Sequence, residues 1–455
     1  MSEINSFFQA KNVAVVGVSK DKQKIGSIVF NNFLNKKFKG KVFPVNPKYE
    51  KVFNKKCFSS VKEIPEKIDL VIVAVKNVIV PAIVKDCVEK KVKAIIVLSA
   101  GFSETGKKEL EQKILTELKK SNGKTRLIGP NCLGVYSSES FIDSLFLPKN
   151  RLQRPSKGNI AFISQSGALG SAVLDWTALK NYGLSSFVSY GNALDVDESD
   201  LLEYFYHDKE TKVITMYIEG VKKGRKFFQT LKKVNKKKPV IILKGGASNA
   251  GNQATLSHTG SLAGSSQVFD AVIKQCNAVK AETLQELFDF ARTLSINPKP
   301  KGRKTQIITN GGGYGVLTTD CVENSGLKFA KLSRQTLKKI RSFSRDHAVL
   351  KNPIDLTGDA DNEMFEKTLT YCLEDKNVDL IVLILLFQVP TINEQLIPRI
   401  AGIIKHYNKP VVSVSVGGAF SEKQRKKLEE KGILTFDNSP EAVKSLKALV
   451  EYYKK

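Results

Sequence analysis

The sequence predicts an α/β protein built from three doubly wound, mostly parallel sheets: one Rossmann-like domain followed by two flavodoxin-like domains. Three observations carry that expectation. Continuous apolar runs of strand length alternate with helix-spaced stretches along the whole chain, and unbroken apolar runs are the mark of strands covered on both faces. Turn-forming glycine, asparagine and proline recur where those runs end. The 455 residues also suffice for about three domains of roughly 150 residues.

The first domain is expected over 1–150. Apolar runs at 13–18, 41–45, 70–75, 94–98 and 126–128 are separated by helical stretches near 26–36, 78–91 and 107–120. Open parallel sheets bind ligands beyond the carboxyl ends of their strands. Those ends hold Gly17 and Ser19, Asn46 and Lys48, Ser99 and Gly101, and Asn131. The first loop is not a dinucleotide fingerprint, because the glycine after Gly17 is Gly26, with Lys20, Lys22 and Lys24 between. No acidic residue closes the second strand, where a ribose would need one. A long basic loop before a helix start suits a phosphate-bearing nucleotide instead; the bland alternative is an ordinary strand-to-helix turn.

The second domain is expected over 151–298, with strands at 159–164, 186–189, 213–218 and 240–243. The first of these ends in Gln165, Ser166 and Gly167 and leads into a helix, whose open backbone amides form an anion site. The third ends at Glu219. The fourth feeds a glycine-rich stretch, 245–264, that contains His258, one of four histidines. Val268, Ala271, Val272 and Cys276 then show helical spacing. Ser166, Glu219 and His258 therefore fall along one edge of one sheet. Taken alone, His258 reads as a loop histidine bonded to neighbouring hydroxyls. His207, His347 and His406 have no comparable surroundings.

A proline- and glycine-broken linker at 297–302 introduces the third domain, 299–455. Its strands are expected at 306–309, 380–387, 411–416 and 433–436. A glycine turn at 310–315 reads equally as structural or as a subunit contact.

Composition excludes several function classes. The net charge of +27 suggests nucleic acid, but the lysines are spread over polar helix faces and no nucleic-acid motif accompanies them. No nucleic-acid or membrane partner is expected. The longest apolar run, 380–387, is far short of the roughly 20 residues a bilayer requires, and the first residues lack a signal-peptide pattern, so the expected location is the cytoplasm. Six scattered cysteines form no metal or disulfide pattern. No P-loop, metalloprotease, kinase or nucleophile-elbow signature is present. If ATP is handled, its site belongs on another chain, and no metal site is expected here.

Together, the stretches VAVVGVS, VFPVNPK, SAGFSETG, GPNCLGV, ISQSGALGSAVLDW, SYGNALDVDESDLLEY, YIEG, SHTGSLAGS, TNGGGYGVLTTD and NPIDLTGDA resemble the α subunit of ADP-forming acyl-CoA synthetases, typically acetyl-CoA synthetase. Succinyl-CoA synthetase α chains look similar over the first two domains but lack the third. The resemblance implies the reaction acyl-CoA + ADP + phosphate ⇌ carboxylic acid + CoA + ATP. It implies an acyl phosphate, a phosphohistidine at His258 carried on a swinging loop, and Glu219 bonded to the other ring nitrogen. Gln165, Ser166 and Gly167 would hold the phosphoryl group. CoA would be bound by Gly17, Ser19, Lys24, Gly26, Asn46, Lys48, Ser99, Gly101 and Asn131, with Ser19, Lys24 and Lys48 on its phosphates. The implied partner is an ATP-grasp β subunit carrying Mg²⁺ with ADP or ATP, in an α2β2 heterotetramer. Departures from the family pattern are Ala247, Asn249 and Gln253, where charged residues are usual, and Lys76, where proline is usual. The altered loop motivates an alternative, a non-catalytic CoA-binding scaffold.

Overall fold

The computed structural model describes residues 3–248, 250–251, 253 and 265–454. Asn249 and the stretch 254–264, with His258, lie outside the described residues. The chain divides into two compact units, Met1–Leu284 and Gln285–Lys455.

The first unit contains two large sheets. One is fully parallel, in the order Lys41–Val45, Asn12–Val16, Leu70–Val73, Ala94–Val97, Arg126–Ile128. Every residue of the two central strands Leu70–Val73 and Ala94–Val97 is buried, which is why these segments read as unbroken apolar runs. The expected run 13–18 ends earlier, at Val16. Gly17 leaves the strand at φ +99°, where a Cβ would also strike the Ala74 carbonyl oxygen at 2.3 Å, so only glycine fits. A small hairpin, Lys51–Val52 with Lys55–Lys56, was not expected; two-residue strands carry no periodicity to read.

The second sheet runs Val279–Ala281, Val240–Lys244, Val213–Ile218, Lys157–Ser164, Leu184–Ser189, Gly134–Ser137. Only the last strand is antiparallel, on Leu184–Ser189. It comes from the first 150 residues yet pairs in the second sheet. Both sheets wind in the same sense. Numbering their parallel strands in chain order gives 2-1-3-4-5, so each order reverses beside its first strand, at the start of its third. Between the sheets, the segment 192–196 runs along Arg126–Ile128. Val196 N–H donates to the Leu127 carbonyl (3.0 Å) and Leu194 N–H to that of Gly129 (3.1 Å). Arg126 pairs with Asp195 (2.9 Å) and Asp200 (3.0 Å). The helix expected after residue 264 spans Ser266–Gln275. It buries Phe269 and Ile273 and leaves Val268 exposed, so its apolar face is rotated one position from the expected one.

The second unit holds a seven-stranded sheet centred on Lys304–Thr309, which pairs in parallel with Leu380–Ile384 on one side and with Ile354–Asp355 and Lys328–Phe329 on the other. Val411–Val414 and Thr435–Phe436 extend it beyond Leu380–Ile384, and Val349–Leu350, antiparallel to Ile354–Asp355, closes the other edge. The expected strand 380–387 stops at Ile384 because Asn310 captures the next residues: Leu386 N–H donates to its Oδ1 (3.0 Å) and its Nδ2 donates to the Leu386 carbonyl (3.2 Å). The glycine turn at 310–315 opens the helix Gly312–Ser325. All six cysteines are free. Among the described residues, no helix is long and apolar enough to cross a membrane.

Candidate functional site

In the first unit, the carboxyl ends of strands from both sheets open onto one cavity of about 870 Å³. Ser99 and Asn131 from the first sheet line it, with Gln165, Ser166, Gly167 and Glu219 from the second. Six of the residues expected from sequence are thus brought together.

The second sheet's contribution forms where its strand order reverses. Lys157–Ser164 and Val213–Ile218 are neighbours in parallel register, Ser164 opposite Tyr217. Just beyond, Gln165 spans the gap. Its Oε1 accepts from the backbone N–H of Glu219 (2.8 Å) and of Gly220 (3.0 Å), and its own N–H donates to the Tyr217 carbonyl (3.1 Å). The Gln165 side chain is therefore committed to shaping the Glu219 turn. Ser166 is the N-cap of the helix Gly167–Leu179, its hydroxyl accepting from Leu169 N–H (3.3 Å). That cap satisfies one of the four open amides of the helix start; Gly167 and Ala168, the first residues of the helix, line the cavity, and helix starts of this kind can bind anions. Gly170 serves packing instead: a Cβ there would meet the Phe187 ring at 2.7 Å.

Glu219 is buried and held on two sides. The Tyr217 hydroxyl bonds its carboxylate, and burial together with that carboxylate pushes the Tyr217 phenol up to about 12. The Lys244 ammonium donates to the Glu219 carbonyl (2.7 Å) and to that of Gly245. Lys244 is itself buried, over the Phe269 ring at 5.8 Å; burial pulls its pKa down and the Glu219 carboxylate opposes that pull. Sequence reading missed Lys244, because a lysine ending a strand carries no local sign of burial.

The remaining expected CoA contacts do not line this cavity; they sit at the strand ends of the first sheet. Gly17 and Gly26 are in backbone contact, a Cβ on Gly26 meeting the Gly17 carbonyl oxygen at 2.4 Å. Ser27 Oγ donates to the Ser19 carbonyl (2.9 Å) and accepts from Ser19 N–H (3.0 Å), so the loop returns onto the helix Ile25–Phe33. Asn46 Nδ2 donates to the Val18 carbonyl (2.7 Å), tying two adjacent strand ends. Lys24 and Lys48 are exposed. Gly101, at φ +92°, donates its N–H to Glu104 Oε1 (2.6 Å).

Sequence reading also missed Asn192, Glu104, Glu111 and Lys222 on the cavity wall. Glu104 and Asn192 lie inside SAGFSETG and SYGNAL, stretches that carried the resemblance without suggesting a role. Burial pushes Glu104 up, but hydrogen bonds from Asn192, Gly101 and Phe102 outweigh it and hold the carboxyl below its ordinary range. Among the described residues no cluster of three histidine, cysteine or carboxylate side chains could hold a metal ion. His207 and His347 are exposed, each against a nearby carboxylate.

Comparison with known proteins gives this geometry its family. Three family models match in succession: a CoA binding domain over 11–138, a succinyl-CoA ligase like flavodoxin domain over 157–294, and a ligase-CoA domain over 305–454. The α subunit of an ADP-forming acetate–CoA ligase II from Pyrococcus furiosus is 40% identical, over 99% of this chain and 98% of its own. The α subunit of ligase I from the same organism is 38% identical over the same shares. The solved acetyl-coenzyme A synthetase 1 of Ca. Korarchaeum cryptofilum, in complex with phosphate and ADP, superposes with a TM-score of 0.93 at 34% identity, covering 100% of this chain and 97% of that one. The chain belongs to the ADP-forming acetate–CoA ligases, an acid–thiol ligase family, and matches their α subunits along nearly their whole length.

Proposed function

We propose that the chain converts acyl-CoA, phosphate and ADP to a carboxylic acid, CoA and ATP, with a separate ATP-grasp β chain that binds the nucleotide and its Mg²⁺. Acyl-CoA lies along the first sheet's strand ends, with its phosphates on Ser19, Lys24 and Lys48 and its thioester in the shared cavity beside Ser99 and Asn131. Phosphate sits at the Ser166–Gly167 helix start. A phosphate oxygen attacks the thioester carbonyl, the C–S bond breaks, and CoA leaves with a proton on sulfur. The resulting acyl phosphate is attacked at phosphorus by a neutral ring nitrogen of His258. The P–O bond to the acyl group breaks and the carboxylic acid departs. Phosphohistidine then passes the group to an oxygen of ADP, regenerating the free imidazole.

Glu219 accepts a hydrogen bond from the second ring nitrogen, which fixes the tautomer and stabilises the charged ring. Helix-start amides hold the phosphoryl oxygens; because the helix dipole alone is worth only ~0.3–1 kcal/mol, direct hydrogen bonds carry most of that binding. The assembly is an α2β2 heterotetramer, located in the cytoplasm. The observation that carries the reading is the Gln165–Glu219 bridge (2.8 Å) next to an N-capped helix start, in the same cavity as Ser99 and Asn131.

Incubation with acetyl-CoA, phosphate, Mg²⁺ and the β chain should leave an acid-labile, base-stable phosphate on His258. Undiminished labelling of a His258→Ala variant contradicts the assignment. The uncharged positions Ala247, Asn249 and Gln253 favour one second reading, a CoA-binding scaffold without turnover.

A further inference from the structure

One side chain joins the cavity's walls without a part in the chemistry above. Asn192 Nδ2 is within hydrogen-bond distance of Glu104 Oε2 (2.6 Å), Glu111 Oε1 (2.9 Å) and Ser103 Oγ (3.3 Å). Its Oδ1 accepts from Asn131 Nδ2 (3.3 Å), its carbonyl from Lys222 Nζ (2.7 Å), and its N–H donates to the Pro130 carbonyl (3.0 Å). Asn192 follows the strand Leu184–Ser189 of the second sheet, whereas Glu104, Glu111 and Asn131 follow strands of the first. The contacts therefore cross from one sheet to the other at the cavity.

The chemistry calls for an amide. Two carboxylates that share one neighbour repel each other unless a donor with two protons lies between them, and an amide nitrogen supplies both protons without adding charge. Glu104 in turn accepts from the N–H groups of Gly101 (2.6 Å) and Phe102 (3.2 Å), so Asn192 indirectly sets the backbone that follows Ser99.

Building on the proposed function, we infer that Asn192 is a positioning residue for acyl-CoA: by clamping Glu104 and Glu111 together it holds the loops of both sheets in one thioester-binding surface. The charged groups facing it are Glu104 and Glu111, Lys222 on its carbonyl, and Lys108 and Glu219 elsewhere on the lining.

The test compares Asn192→Asp, Asn192→Ala and Asn192→Gln in the full chain with its β chain, recording KM for acetyl-CoA and kcat from about pH 6 to pH 8. Removing a bond to a charged group should raise KM in Asn192→Ala by about tenfold or more at every pH, with kcat less affected. Asn192→Asp adds a third carboxylate, so one of the three takes up a proton as the pH falls; its KM should exceed that of Asn192→Ala near pH 8 and approach the wild-type value near pH 6. Asn192→Gln, which keeps the amide, should recover part of the affinity without pH dependence. Asp and Ala variants with the same KM at every pH, or with wild-type KM, overturn the inference while the functional reading stands. Should Asn192→Asp fail to fold, Ala and Gln variants with equal KM overturn it as well. A wild-type pair without acetyl-CoA-dependent turnover contradicts the functional reading and takes this inference with it.

Discussion

Glu198 shows what burial does to a charge near this site. It opens the helix Glu198–His207 behind an Asp197 capping box, lies buried, and has no partner for Oε1 among the described residues. Burial first, with help from neighbouring Asp197 and Asp200, pushes its carboxyl up to about 7 against opposition from its own backbone N–H and from Lys226. The folded state then binds a proton that the unfolded state releases near the ordinary value of 4.5. Stability from this group is fully present below that value and is lost as the pH rises toward 7. Glu198→Gln keeps the shape and removes the titration. It should melt with the wild type near pH 4.5 and be more stable at pH 8, by something on the order of 2–3 kcal/mol. Melting curves at the two pH values decide it; an equal shift at both contradicts the assignment. Glu219, by contrast, is bonded by Tyr217 and has its backbone fixed by Gln165 and Lys244.

At the scale of elements, the first strand and the helix that follows it meet through two glycines. Alanine is ordinarily worth about 0.5–1 kcal/mol over glycine inside a helix. At Gly26, however, a Cβ would lie 2.4 Å from the Gly17 carbonyl oxygen and 3.0 Å from Val18 N. Both atoms are backbone, so the helix must move, and the clash outweighs the propensity. Gly26→Ala should destabilise the chain by about 1–3 kcal/mol and weaken CoA binding, because the displaced loop carries Ser19 and Lys24. Titration calorimetry with CoA checks this; unchanged affinity would show that the loop does not meet the ligand.

The same elements show what the sequence made legible. Long apolar strands and the helices after them were readable because each has its own periodicity. So were Ser166 and Glu219, since a strand's carboxyl end can be located from the strand alone. Gly134–Ser137 escaped notice because it follows the first sheet in the chain yet pairs within the second, antiparallel to the distant Leu184–Ser189. Asn192, Glu111 and Lys244 escaped for a related reason. Their roles rest on partners 25 and 81 residues away in the chain, and no local pattern encodes such contacts.

For the whole molecule, one winding rule recurs. Each sheet of the first unit reverses its strand order beside its first strand. In the second sheet that reversal lies at Gln165 and Glu219, as open α/β sheets favour. Many of the lysines behind the net charge of +27 stand in exposed ion pairs, each worth little. What remains distinctive is the uncharged approach to His258 at Ala247, Asn249 and Gln253. The most direct measurement of the central claim is ATP formation by the chain and its ATP-grasp partner. With acetyl-CoA, ADP, phosphate and Mg²⁺ present, ATP and free CoA should appear in equal amounts, and omission of acetyl-CoA or of either chain should abolish both. CoA binding by the chain without any acetyl-CoA-dependent ATP would contradict the account and point to the scaffold.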